Sequence, residues 1–169
     1  MEEKNKAWKT VSSKYLFRRP WLTVRCEDML LPNGNHIPEY YILEYPDWVN
    51  TIAITKDGQF VFVRQYRPGI ERTCYELCAG VCEKEDASPL VSAQRELWEE
   101  TGYGKGNWQE YMVISANPST HTNLTHCYLA TDVERMDVQH LDQAEDIEIR
   151  LFSREEVMEM LEKGEIWQS

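Results

Sequence analysis

Glu96, Glu99 and Glu100 fall within five consecutive residues of a stretch with helical periodicity. At 3.6 residues per turn they fan over an arc of about 100°, with Glu96 and Glu100 one turn apart on the same face. They crowd the C-terminal end of the helix. That end already carries partial negative charge, which disfavours each anion by roughly 0.3–1 kcal/mol. Like charges at i,i+4 add a few tenths of a kcal/mol. Arg95 reaches Glu99 four residues on, but one cation does not neutralise three anions. A hard divalent cation with oxygen ligands resolves the conflict, and Mg²⁺ characteristically takes one or two carboxylates together with waters and substrate phosphates. A solvated acidic face is the plain alternative on spacing alone.

The helix that must position these groups has readable ends. Ser88 is placed as N-cap, Pro89 as first helical residue and Gly102 as terminator, with Leu90, Ala93 and Leu97 on the apolar face. A second helix opens with a Ser153–Glu156 capping box and closes with Lys163 and Gly164, and its buried stripe is expected to be Val157, Met160 and Leu161. Strands are expected over 38–44, 49–55, 59–66, 73–78, 111–115, 125–131 and 146–152, with Lys56-Asp57-Gly58 as a hairpin turn. Arg64 and Arg67, leading into the Pro68-Gly69 turn, are read as sharing one face, where guanidinium forks would match phosphate oxygens. A polar segment to about Ser13 precedes the strands.

Composition bounds the rest. The 169 residues carry 18 Lys and Arg against 29 Asp and Glu, a net charge of -11, which excludes a polycation for nucleic acid. With 42% hydrophobic residues the chain can bury a core without staples. No apolar run approaches the ~18 residues that span a bilayer, so no membrane partner is expected. The five cysteines are an odd number and fit a reducing cytoplasm. Cys74, Cys78 and Cys82 recur every four residues and invite a zinc reading, with His121, His126 and Cys127 as further ligands. Small buried hydrophobes are the simpler account.

The surrounding residues form a signature. Gly80, then fourteen residues, then Arg95-Glu96-Leu97-Trp98-Glu99-Glu100-Thr101-Gly102-Tyr103 resembles the Nudix box, Gly-x5-Glu-x7-Arg-Glu-U-x-Glu-Glu-x-Gly-U with U apolar. Every fixed position from Arg95 onward matches. The stretches FVRQYRPG (62–69) and YELCAG (75–80) resemble the ADP-ribose pyrophosphatase branch of that superfamily. The family has thirteen residues between Gly and Arg, so this loop is one residue longer and the first box Glu is absent. Ala87 or Asp86 falls at its place, depending on the direction of counting, and Asp86 or Glu85 is the candidate stand-in.

The resemblance implies an α/β fold, a Nudix-type α/β/α sandwich around a mixed β-sheet. Residues 1–37 would form an N-terminal extension with extra strands and dimer contacts, and 38–169 the Nudix hydrolase domain. It implies Mg²⁺, with Mn²⁺ as an alternative, held by Glu96, Glu99, Glu100 and the backbone carbonyl of Ala79, with Arg95 orienting the carboxylates. In the late loop 139–148, which carries Asp142, Glu145, Asp146 and Glu148, Glu145 is the expected catalytic base with Glu148 behind it. Arg67 is the better of the two candidate phosphate contacts. Trp21 is the candidate for stacking on a nucleobase, with core or interface as the plainer role. The segment 117–123 takes the place of the family's specificity loop, with Leu124 near a position where relatives carry Glu. The implied partner is a small-molecule nucleoside diphosphate derivative, ADP-ribose first among them, cleaved to a nucleoside monophosphate and a sugar phosphate by a cytoplasmic homodimer. The net charge is no obstacle, because bound cations reverse the local sign. The alternative is a catalytically impaired Nudix-fold metabolite-binding module. Isoprenoid diphosphate isomerase chemistry on the same fold would need a catalytic cysteine, for which Cys78 or Cys127 would have to serve.

Overall fold

The structure is a computed structural model and describes residues 6–167. In chain order the first three strands are β1 (Lys9–Arg19), β2 (Leu22–Leu30) and β3 (His36–Glu44). They pair antiparallel in the order β1-β2-β3. This sheet belongs to one compact unit, which runs to Pro46 and also takes in Ser115–Asn123. The later segment is tied to β3 by hydrogen bonds from Leu43 N to Thr120 O (2.8 Å) and from Thr122 N to Leu43 O (3.1 Å). The expected specificity loop 117–123 is therefore grouped with the N-terminal strands. Every residue of β1 is exposed, and Trp21, in the turn to β2, is 78% exposed.

The second unit, Asp47–Ile114 with Leu124–Ser169, holds the remaining elements. These are β4 (Trp48–Thr55), β5 (Phe60–Arg67), β6 (Arg72–Glu76), β7 (Cys78–Val81), α1 (Pro89–Thr101), β8 (Tyr103–Gly104), β9 (Asn107–Ile114), β10 (Thr125–Arg135), β11 (Glu148–Phe152) and α2 (Arg154–Lys163). Their sheet is mixed, since β10 runs parallel to β4 while the other pairings are antiparallel. Strand periodicity assigns its two faces. Ala53, Val61 and Val63 pack with Leu97 of α1, and Val49 packs with Ala93. Ile52, Phe60 and Phe62 lie on the other face, where they line a cavity together with Val157 and Leu161 of α2. The result is the expected α/β/α sandwich.

One break in the sheet prepares the site. β4 and β5 share two register pairs, Ala53↔Val61 and Ile54↔Phe60, and then part. Beyond that point β7 pairs with β4 and β6 with β5. The expected single strand over 73–78 is thus two strands, because the chain must cross at Leu77 from the partner of β5 to the partner of β4. Strand β10 continues past its expected end to Arg135, through an irregularity between Thr131 and Val133 where Asp132 has φ 59°. In α2 the capping box and Gly164 cap form as the sequence dictates, but Leu161 is 53% exposed, so the buried positions are Val157 and Met160.

Candidate active site

Local chemistry sets both ends of α1. The Ser88 side chain accepts a hydrogen bond from Val91 N, Pro89 opens the helix, and Gly102 closes it at φ 70° with its N–H on Trp98 O at 2.7 Å. A Cβ at Gly102 would lie 2.2 Å from Asp137 O, so glycine there also admits the following loop. No basic residue occupies the last turn. The carboxylates therefore face the helix dipole without a compensating side chain at that end.

Arg95 organises the cluster from one side. Its Nη1 donates to Glu96 (3.0 Å) and Glu99 (2.9 Å), and its Nη2 to Val81 O (2.9 Å) and Asp86 (3.0 Å). The Arg95 pairing holds the Asp86 carboxyl below its ordinary range. Asp86, not the exposed Glu85, thus supplies the carboxylate beside Arg95, and the extra loop residue is absorbed without losing that pairing.

Glu96 leans over β7. Its Oε1 accepts from Val81 N at 3.2 Å, and a Cβ built on Gly80 would fall 2.0 Å from its Cδ. Burial pushes the Glu96 carboxyl above its usual range despite Arg95. Glu100 is only 4% exposed. Burial, then the Glu96 and Glu145 charges, push its pKa up to about 8, although the Cys78 thiol and the Ala79 backbone hydrogen-bond to it. Its Oε2 has no hydrogen-bond partner. Cys78 is fully buried, and its own pKa is raised first by burial and then by Glu100. Cys74 is buried as a small core residue as well, while Cys82 is half-buried.

These residues fit a divalent cation. An orphaned buried carboxylate oxygen, a second carboxylate seated in the space glycine leaves and a hard oxygen donor set all suit Mg²⁺ or a similar ion. Among the described residues no three such groups are already closed around a common point. Glu96 and Glu99 would have to turn from Arg95 toward the ion. Because Glu96's carboxylate is the mobile end of its side chain, Gly80→Ala is expected to displace it without unfolding the protein. Turnover should fall roughly 100-fold, as for a misplacement of about 1 Å, while the melting temperature changes little. Steady-state kinetics with a thermal melt checks this.

The other expected residues divide. Glu145 lies close enough for its charge to act on Glu100, and its Oε2 accepts from Asp142 N at 2.9 Å. Glu148 is turned to Arg64 (3.4 Å) and Arg150 (2.6 Å). Arg67 forms a fork with the buried Glu76, Nε at 3.0 Å and Nη2 at 2.7 Å, and its pKa is raised chiefly by that hydrogen bond. Gln65 also donates to Glu76, at 3.3 Å. Arg64 and Arg67 do not share a face: three residues apart on a strand they point to opposite sides.

Two contributors have roles that the sequence alone does not assign, although Glu76 lies within the YELCAG stretch. Glu76 anchors Arg67 across the β5–β6 hairpin. Gln139 Nε2 donates to Glu100 O (2.8 Å) and Ile147 O (3.0 Å), fastening the base of the Glu145 loop to the end of α1. His140 reinforces it by stacking on Trp98, with ring centroids 4.1 Å apart.

This fold and constellation define a class. The NUDIX domain family matches residues 45–169, and the nucleoside diphosphate sugar hydrolase N-terminal domain family matches residues 8–43. The chain belongs to the Nudix family. It is 29% identical to the ADP-ribose pyrophosphatase of Bacillus subtilis (strain 168) over 160 residues, which cover 94% of this chain and 85% of that protein. It is also 29% identical to the methanol dehydrogenase activator of Bacillus methanolicus, over 95% of this chain and 86% of the relative. The GDP-mannose pyrophosphatase of Escherichia coli (strain K12) matches 66% of this chain at 29% identity over 62% of its own length. A solved structure described as an ADP compounds hydrolase superposes with a TM-score of 0.79 at 22% identity, over 92% of this chain and 83% of that one, and shares the fold.

Proposed function

We propose that this chain is a Mg²⁺-dependent pyrophosphatase that hydrolyses a nucleoside diphosphate sugar, ADP-ribose foremost, to a nucleoside monophosphate and a sugar phosphate. The observation that carries the reading is the buried, unpartnered Glu100 oxygen beside Glu96 at the α1–β7 junction. The family match and the names of the relatives support the substrate class.

Glu96 and Glu100 would hold the cation, with Glu99 and the Ala79 carbonyl completing the set. When bound, Mg²⁺ neutralises the diphosphate, polarises its phosphoryl oxygens and lowers the pKa of a bound water. Glu145, exposed and near Glu100, takes the proton from the attacking water. Arg67, whose Nε and Nη2 are held by Glu76, keeps Nη1 for a phosphate oxygen. Gln139 fixes the Glu145 loop to the helix, so the base keeps its place between turnovers. The impaired binding-module alternative rests on the absent first box Glu, and the Asp86–Arg95 pairing favours hydrolysis instead.

The cytoplasm is the proposed compartment, supported by five unpaired cysteines; no helix among the described residues is long and apolar enough to cross a membrane. A homodimer is proposed as well. The exposure of all of β1, with Val11, Leu16 and Phe17 uncovered, supports it. Sedimentation should give twice the monomer mass, and Phe17→Glu should return the monomer. The test of substrate class is kcat/KM with Mg²⁺ across ADP-ribose, GDP-mannose, UDP-glucose, diadenosine polyphosphates and NADH. A preference for one nucleoside diphosphate sugar is expected, and turnover confined to dinucleoside polyphosphates would refute it.

A further inference from the structure

The end of β4 not covered by a helix carries a polar group that folding alone does not explain. Val49 packs on α1, so Trp48 and Asn50 point to the opposite face. Register brings Ala79 and Val81 of β7 and Thr125 of β10 beside them on that face. These five side chains and Arg67 line a cavity of about 350 Å³. Helix α2 covers the same face further along, at Ile52.

Asn50 is 7% exposed, and its Oδ1 has no hydrogen-bond partner. A buried acceptor without a donor disfavours folding, and a β-branched or aliphatic residue would suit a buried strand better. The terminal torsion of Asn is soft and no described residue fixes the oxygen, so the carboxamide is free to rotate at the wall of the cavity that Asn50 lines. The cavity also borders Ala79 and Gly80, against whose backbone Glu100 and Glu96 are packed. One strand's backbone thus separates the cavity from the two carboxylates, and Arg67, the phosphate contact proposed above, lines the cavity beside the point where β6 and β7 part.

Building on the hydrolytic reading, we propose that Asn50 is a specificity residue. Its carboxamide oxygen accepts a hydrogen bond from a donor on the nucleoside joined to the diphosphate, a sugar hydroxyl or the base amine, while Trp48 forms the flat apolar wall. The cost that Asn50 imposes on the empty protein is offset when the ligand supplies the donor. A donor-bearing ring is thereby favoured over one that leaves the oxygen unpaired.

The test compares wild type with Asn50→Leu, which keeps the approximate shape, and Asn50→Ala, which leaves added room. Kinetics are measured with ADP-ribose and with its inosine counterpart, and melting temperatures with and without each compound. Both variants should raise KM for ADP-ribose at least tenfold with kcat within threefold, and Asn50→Leu should melt higher than wild type when ligand-free. A penalty on ADP-ribose alone assigns the donor to the base amine; an equal penalty on both assigns it to a sugar hydroxyl. KM values within threefold of wild type in both variants overturn the role of Asn50 while leaving hydrolysis standing. A wild type that neither turns over nor is thermally shifted by either compound overturns the hydrolytic reading and this one with it.

Discussion

Glu100→Gln should lower Mg²⁺-dependent turnover of ADP-ribose by about a thousandfold or more. The substitution keeps the shape of the side chain and an oxygen for the Ala79 hydrogen bond, and removes one negative charge from the innermost position of the cluster. Metal ions contribute several kcal/mol to such reactions, and a loss of about 4 kcal/mol in transition-state stabilisation corresponds to three orders of magnitude. Glu99→Gln should cost less. Glu99 is more exposed than Glu96 or Glu100 and is held by Arg95 at the edge of the cluster. Single-turnover and steady-state rates at saturating Mg²⁺ check the ranking, and a Glu100→Gln enzyme within tenfold of wild type would remove Glu100 from the metal site.

The same substitution should stabilise the protein when metal is withheld. The Glu100 pKa stands at about 8 in the folded chain against an ordinary value of 4.5, so the folded state keeps a proton that the unfolded chain releases between those values. That contribution to stability is fully present below about pH 4.5 and is lost progressively as pH rises through about 8. At roughly 1.4 kcal/mol per unit, the loss is on the order of 3 kcal/mol by pH 7. Glu100→Gln abolishes it. In chelator, wild type should therefore melt progressively lower from pH 5 to pH 8, while the variant changes far less and melts several degrees higher at neutral pH. Added Mg²⁺ should raise the wild-type melting temperature by mass action and leave the variant unmoved. Parallel pH profiles for the two proteins in chelator would contradict the buried carboxylate with its raised pKa.

Elements governed by local chemistry were legible in the sequence. The α1 boundaries follow from Ser88, Pro89 and Gly102, and those of α2 from Ser153, Glu156 and Gly164, because a cap needs only its neighbours. The electrostatic conflict among Glu96, Glu99 and Glu100 was equally visible, since a helix fixes their spacing. What escaped depends on distant chain. Counting along the loop left Ala87, Asp86 and Glu85 in competition, and only the position of Arg95 in space selects Asp86. Glu76 and Gln139 meet partners nine and 39 residues away. Strand β1 has no buried face, so it gives no alternation to read. Arg64 and Arg67, three residues apart on one strand, face opposite sides, because a shared face needs an even separation, a rule that holds only if the strand is continuous to its end.

The most direct test of the central claim is to incubate purified protein with ADP-ribose and Mg²⁺ and resolve the products by chromatography. The account predicts AMP and ribose 5-phosphate in equal amounts, with no release in chelator or from Glu100→Gln. Intact ADP-ribose after prolonged incubation, with saturable binding still measurable, would contradict it and leave a binding module in place of a hydrolase.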